Sequence, residues 1–287
     1  MVTSRIAFVI PAYQAAAVVE RAIASARAQS APADEIIVVD DGSRDETAAL
    51  AEASGARVIC QMNGGPAAAR NTGIQAARAE WIALLDADDI SRPGRLELER
   101  PHLGDPRVAL VAGLSAREDR TSAVPPGEID FDTLWLRNWI PTSTVLLRKA
   151  AWEAVGGFDE TRDLIGVEDY NLWLRLAHAG WRFTILPEPL VDYRPTPQSL
   201  TAQTRRFAEA ELVNVRRIAE QLSIPAAALR DREFKIYREY GLELFYYGEM
   251  ASAREFLREA AHRGKLDLRT RLRLLAAAFP LRRSPAR

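Results

Sequence analysis

The 287-residue chain is expected to fold as an α/β domain, with a mostly parallel sheet covered by helices on both faces, followed by a helical extension. Three observations predict this. Short β-branched runs alternate with helical stretches through the first half, the pattern of a parallel sheet. Two acidic clusters, Asp40-Asp41 and Asp86/Asp88/Asp89, fall just past strands, where ligands sit in such sheets. Strand signals stop near residue 200, and helical stretches broken near Pro225, Gly248 and Gly264 follow. The expected division is therefore one domain over residues 1–200 and a helical extension over 201–287.

The elements follow in order. Ile6–Ile10 is apolar and β-branched, and Pro11 is expected to end it. Ala15–Gln29 carries apolar residues at helical spacing. Glu35–Val39 is a second strand that runs into Asp40-Asp41-Gly42-Ser43, a turn by composition, with Ser43 or Asp45 able to cap the next helix. Ala56–Cys60 is a third strand. The loop Asn63-Gly64-Gly65-Pro66 follows, with Pro66 suited to the first turn of a helix. Trp81–Leu85 is a fourth strand. Arg107–Ala112 and Pro141–Leu147 are expected as strands, Ser115–Glu128 as a loop, and Lys149–Val155 and Glu168–Ala179 as helices. Arg182–Leu186 and Leu190–Tyr193 are extended.

Composition narrows the function. Hydrophobic residues make up 48% and charged residues 27%, an ordinary globular balance that excludes disorder. With 38 basic and 39 acidic side chains, a general nucleic-acid binder is excluded. The single cysteine, Cys60, leaves no disulfide and no cysteine metal site, and its place at the end of an apolar run reads as core. His102, His178 and His262 lack ligand spacing, so a histidine zinc site is not expected. Met1–Arg5 leads into a strand without an apolar leader region, and Ile6–Val19 is too short and interrupted to span a bilayer. A cytoplasmic protein is expected.

Four clusters carry the possible chemistry. Asp86-Ala87-Asp88 places two carboxylates in one crevice, where they repel unless a cation is present. Oxygen ligands suit Mg²⁺ or Mn²⁺ together with substrate phosphates. The ordinary alternative is a surface turn and helix cap. Asp40-Asp41 suits acceptance of a nucleobase N–H, with Tyr13 stacking on the same base; alternatively it is a turn and cap, and Tyr13 a half-buried tyrosine. Gly64-Gly65-Pro66 with Arg70 joins a helix N-terminus to a guanidinium and suits a diphosphate, or is a loop with a surface arginine. Neither a P-loop nor a GxGxxG after the first strand is present, which disfavours those nucleotide folds. Glu168-Asp169 opens a helix and supplies either dipole-complementing acids or a general base.

As an ordered set these stretches resemble family 2 glycosyltransferases of the GT-A fold. The matching stretches are Ile10-Pro11-Ala12-Tyr13, Val39-Asp40-Asp41-Gly42-Ser43, Ala68-Ala69-Arg70-Asn71, Leu85-Asp86-Ala87-Asp88-Asp89, Gly156-Gly157-Phe158-Asp159 and Glu168-Asp169-Tyr170-Asn171-Leu172-Trp173. The resemblance covers roughly residues 4–200. It implies an inverting, metal-dependent transfer of sugar from a nucleoside diphosphate, UDP- or dTDP-linked, to an acceptor hydroxyl in surface polysaccharide or glycoconjugate synthesis. Asp40, Asp41, Pro11 and Tyr13 would form the base pocket, and Arg70 would lie near the base or diphosphate. Asp86 and Asp88 would hold the divalent cation and diphosphate, Asp169 would be the base, and Glu168 would shape the acceptor site. The acceptor would be a carbohydrate or a lipid-linked carbohydrate, its wall drawn from Trp135 to Thr144.

The chain departs from the family pattern in two places. Thr196 stands where the family often has a histidine near the metal or diphosphate, and Gln14 replaces a frequent asparagine after Tyr13. Two rival functions remain. A nucleotidyltransferase would carry a glycine-rich signature with Arg and Lys after the first strand, where this chain has Pro11-Ala12-Tyr13-Gln14. A non-catalytic scaffold is the reading that Thr196 keeps open against intact Asp86, Asp88 and Asp169. The tail from Ala253 carries ten bases against three acids, a net +7. Leu268, Leu272, Leu275 and Phe279 recur there at helical spacing. This stripe either packs on the preceding helices or forms a basic amphipathic helix that touches the inner face of the membrane.

Overall fold

The computed structural model describes residues 4–116, 127–193 and 204–278. The chain forms two compact units, Met1–Pro197 and Gln198–Arg287.

The first unit opens with β1 (Ile6–Ala12), α1 (Val19–Arg27), β2 (Glu35–Asp40), α2 (Thr47–Ala53), β3 (Arg57–Cys60), α3 (Pro66–Ala76) and β4 (Trp81–Leu84). Their strands pair in parallel in the order β3-β2-β1-β4. Ile6 to Ile10 are fully buried on both faces, as expected for a strand covered by helices on both sides. Ile6, Phe8, Val9 and Ile10 each contribute about 1.5–3 kcal/mol by leaving water. Close packing of α3 on the sheet depends on Gly73: a Cβ there would come within 2.5 Å of Val9 Cγ1.

Pro11 does not end β1. The strand runs on to Ala12, and Pro11 stays in register with Val39 of β2. Val9 O accepts from Leu85 N on the β4 side, and β4 has no pairing beyond it. Pro11, two residues on, turns its missing N–H to that same vacated side, so no ladder bond is lost. Helix α1 starts later than the spacing predicts, at Val19. Residues 14–16 are instead held by the loop after β2 and the first residue of α2: Gln14 N donates to Ser43 Oγ (2.9 Å), Ala15 N to Thr47 Oγ1 (2.8 Å) and Ala16 N to Asp45 Oδ2 (3.2 Å). Gln14 has φ 51°, a left-handed conformation that asparagine tolerates better than glutamine.

The unit continues with β5 (Ile90–Ser91), α4 (Arg95–Glu99), β6 (Val108–Ala116), β7 (Gly127–Ile129), α5 (Phe131–Leu136), β8 (Leu146–Arg148), α6 (Lys149–Ala154), α7 (Glu168–His178) and β9 (Arg182–Asp192). The complete sheet has the order β3-β2-β1-β4-β8-β6-β9-β5, with β7 on β9. Here the sheet is mixed. β8 is antiparallel to both β4 and β6, and β5 and β7 are antiparallel to β9, whereas β6 and β9 run parallel. The mostly parallel expectation therefore holds for the first half only. β8 is three residues long and pairs with strands far away in sequence, so no local pattern records its direction.

Three further expectations are corrected. Cys60 is exposed, because β3 is the edge strand and turns Cys60 toward solvent. Pro141–Leu147 is not one strand. Thr142–Thr144 forms a 3₁₀ turn, with Thr144 N and Thr144 Oγ1 both donating to Pro141 O, and the strand begins at Leu146. In β9 the two extended runs are one strand, its pairing to β6 shifted by irregularities between Val108/Leu110 and Ala112/Leu114.

The second unit consists of α8 (Thr204–Gln221), α9 (Ala226–Tyr246), α10 (Met250–Arg263) and α11 (Leu268–Ala278). Ala208, Leu244, Ala253 and Phe256 form its core with Tyr237, Tyr240 and Phe245. A buried pair, Arg232 with Glu211, joins α9 to α8, and Tyr240 Oη donates to the other Glu211 oxygen at 2.7 Å. Among the described residues no helix is long and apolar enough to cross a membrane.

Candidate active site

The carboxyl end of β4, the 3₁₀ turn at Thr142–Thr144 and the start of α7 converge around Arg70. This arginine sits one turn into α3 and is buried. Its Nη2 donates to Asp86 Oδ1 (2.7 Å) and its Nη1 to Glu168 Oε1 (2.6 Å). The guanidinium also lies 5.7 Å from the Phe158 ring centroid. Burial opposes its charge, but the Asp86 and Glu168 carboxylates overcome that and raise its pKa further. Both arms of the Arg70 fork are engaged by protein carboxylates. Arg70 couples the Asp86 loop to the Glu168-Asp169 helix start.

Glu168 is equally committed. Its second oxygen accepts from Gly166 N at 2.6 Å, and its side chain is buried. Asp169 beside it is different. Its Oδ2 accepts from Thr142 Oγ1 (2.5 Å) and, at a long 3.4 Å, from Asn138 Nδ2; its Oδ1 accepts from Tyr170 N. Burial, and then the negative charge of Glu168, push the Asp169 carboxyl up to about 6, against the pull of Thr142 and Arg70. A carboxyl poised there is basic enough to accept a proton near neutral pH and still largely ionised.

Asp86 and Asp88 follow β4. Asp86 N donates to Ser143 Oγ (3.0 Å), and one Asp86 oxygen is held by Arg70. Burial, with the charge of Asp86 second, raises the Asp88 carboxyl, so the ionised form of Asp88 would gain from a cation placed beside it. No three His, Cys, Asp or Glu side chains among the described residues form a complete cage. Two carboxylates with remaining positions for phosphate and water are what Mg²⁺ or Mn²⁺ ordinarily use, so the donor set fits such an ion.

On the other side of the sheet's end, Asp41 is buried and clasps the following loop. Oδ1 accepts from Gln61 Nε2 (2.8 Å) and Gly64 N (2.9 Å), and Oδ2 from Gly65 N (2.8 Å). The anion at the N-terminus of α3 is therefore Asp41 itself, which corrects the reading of Gly64-Gly65 as a diphosphate cradle. Gly65 has φ 91°, which suits a residue without Cβ. A carboxylate has about four acceptor positions, so one remains on Asp41. Asp40 accepts from Ser43 N (3.2 Å), Pro11 is half-buried, and Tyr13 is 54% exposed beside them in sequence.

Sequence reasoning missed Arg95 and the contacts made by two residues of the expected acceptor wall. Thr142 orients Asp169 and Ser143 receives Asp86 N, both in the Trp135–Thr144 stretch, at positions whose composition reads as a strand. Arg95, fully buried, donates to Leu84 O (3.1 Å), Ser143 O (2.6 Å) and Val145 O (2.8 Å), and so ties the end of β4 to the 3₁₀ turn. Trp135 is core, stacked on Phe131 at 5.9 Å, whereas Trp139 is half-buried under Arg137. Thr196 and Phe279 lie outside the described residues.

A mixed sheet with this strand order, and acidic residues gathered at the carboxyl ends of its parallel strands, defines a GT-A-type domain. The profile of Glycosyl transferase family 2 matches residues 7–159, and that of Glycosyltransferase like family 2 matches 128–261. The chain belongs to glycosyltransferase family 2. The succinoglycan biosynthesis protein ExoU of Rhizobium meliloti is 42% identical over 206 residues, covering 63% of this chain and 59% of ExoU. ExoO of the same organism is 45% identical over 111 residues, 37% of this chain and 32% of ExoO. The chain thus spans about a third to three-fifths of these relatives. S. aureus TarS 1-349 in complex with UDP-GlcNAc superposes with TM-score 0.65 at 16% identity, over 96% of this chain and 87% of TarS 1-349. The mannosyltransferase PcManGT of Pyrobaculum calidifontis, in complex with GDP-Man and Mn2+, superposes with TM-score 0.63 at 20% identity, over 96% and 86%. Both show the shared fold.

Proposed function

We propose that this glycosyltransferase moves a sugar from a UDP- or dTDP-linked donor to an acceptor hydroxyl by a single inverting displacement, with a divalent cation. The observation that carries the reading is the buried Asp169 carboxyl, raised to about 6 and aimed by Thr142, next to the Arg70-tied pair of Asp86 and Glu168. Asp169 accepts the proton of the acceptor hydroxyl as its oxygen attacks the anomeric carbon, and the bond to the nucleoside diphosphate breaks on the opposite face. Asp86 and Asp88 hold the cation, which when bound offsets charge on the departing diphosphate. Pro11, Tyr13, Asp40 and Asp41 bound the base pocket, the last through its remaining acceptor position. Glu168 stays bound to Arg70 and fixes the helix start that presents Asp169. The relatives in succinoglycan synthesis favour a carbohydrate or lipid-linked carbohydrate acceptor.

A panel of nucleotide sugars, scored for release of nucleoside diphosphate with and without manganese, tests the class. Pyrophosphate as the product would point to nucleotidyl transfer instead. Nucleoside diphosphate binding is expected to need a divalent cation, and Asp88→Ala to remove most of that dependence. Calorimetry checks this; equal affinity in chelator contradicts it.

The pH profile offers an independent check. The acid limb of kcat/KM is expected near pH 6, with activity falling as pH drops through it and Asp169 protonates. Thr142→Val removes a bond that favours the ionised form, so its limb is expected at higher pH. A limb that stays put in the variant would separate Thr142 from the base.

A further inference from the structure

Helix α11 presents an apolar stripe to solvent. Leu268, Leu272 and Leu275 are 73%, 57% and 61% exposed, whereas Thr270 and Ala277 are buried. At 100° per residue the three leucines share one face, and Thr270 and Ala277 lie on the opposite one, the side of α11 that packs against α10 and α9. Arg271 falls on one flank of the leucine stripe and Arg269 on the other; Leu268–Ala278 contains no acid. Asp267, just before the helix, is spoken for: it accepts from Thr270 N at 2.9 Å and pairs with Arg238 at 2.7 Å. Tyr246 and Tyr247, at the end of α9, are also exposed, and Arg273 lies 5.0 Å from the Tyr246 ring centroid while donating to its hydroxyl. Arg238, Arg269 and Arg273 line an open cavity of about 670 Å³ beside Leu268.

We propose that α11 docks the chain on an anionic lipid surface. The leucines enter the boundary between headgroups and acyl chains, and the flanking Arg269 and Arg271 meet lipid phosphates. Charge complementarity selects this occupant. A leucine stripe bordered by cations on both sides, followed in sequence by Arg282, Arg283 and Arg287, matches a surface that is apolar within and negative at its rim. A second copy of the chain matches it poorly, because a two-fold contact through this face would set the arginines of both copies against each other. The docking is independent of the transfer reaction proposed above, and its failure leaves that reaction untouched.

Flotation of the full chain with phosphatidylglycerol–phosphatidylcholine vesicles, against pure phosphatidylcholine vesicles, tests the proposal. Binding is expected to the anionic vesicles at low salt and to weaken as salt rises. Leu272→Gln with Leu275→Gln is expected to weaken it about tenfold or more, since each change withdraws a buried aliphatic group. Arg269→Gln and Arg271→Gln should each cost about fivefold. All four positions are exposed, so an unchanged melting curve confirms that the variants fold. The proposal is overturned if the full chain stays unbound with anionic vesicles at low salt, or if the double leucine variant binds as the parent does. A lipid-free dimer that the leucine changes dissolve would equally overturn it, by assigning the stripe to a second copy.

Discussion

Asp169→Asn is expected to lower turnover by roughly 10²–10⁴-fold while leaving donor binding intact. The substitution keeps the shape of the side chain and removes its basicity. Asparagine can keep its carbonyl on Tyr170 N and donate its amide N–H to Thr142 Oγ1, since a hydroxyl accepts as well as donates, so the 3₁₀ turn and the start of α7 should stay in place. The fall should therefore appear in kcat, with nucleoside diphosphate affinity unchanged. Steady-state kinetics with both substrates varied, beside calorimetry of the diphosphate, separates the two. Near-normal turnover in this variant would assign the base elsewhere. Glu168 is a poor substitute on geometry, because both of its oxygens are engaged, by Arg70 and by Gly166 N.

Arg70→Met carries the largest expected effect on stability. Arg70 is buried, and its loss strands Glu168 without a countercharge and frees Asp86 from its anchor. Breaking a buried pair from one side costs about 3–5 kcal/mol, enough to lower the melting temperature on the order of 10 °C. Thermal denaturation checks this, and a variant as stable as the parent would remove Arg70 from its central place. Arg70→Lys should recover only part of the loss, since an ammonium cannot reach two carboxylates with a planar fork. Activity should fall in both, because Asp86 and the Asp169 helix lose the tie that sets their spacing.

The parallel half of the sheet was legible in the sequence because it is written locally. Strands β1 to β4 are short β-branched runs, and their helices carry apolar residues at regular spacing. Asp86, Asp88, Glu168 and Asp169 stood out because their spacing within the chain is itself the signal. What escaped was set by long-range contact. Arg70 meets Asp86 at a separation of 16 residues and Glu168 at 98, so its partners leave no mark around position 70. Asp41 reads as a turn residue or a ligand for a base, yet it spends three acceptor positions on residues 61–65, which only the fold brings near. Thr142-Ser143-Thr144 has β-forming composition, but its hydroxyls serve Asp169, Asp86 N and Pro141 O, and that competition breaks the strand into a turn. Cys60 looked like core because sequence does not reveal that β3 is an edge. The leucines of α11 show the opposite case: the helical period was plain, and the structure decided that the stripe faces outward.

The proposed single displacement, with Asp169 as the base, inverts the anomeric centre. Proton NMR of the transferred sugar at that centre, recorded as product forms, reads the configuration. The expected product carries a linkage of configuration opposite to that of the donor, formed by the parent enzyme and suppressed in Asp169→Asn. A product that retains the donor configuration would rule out the single displacement.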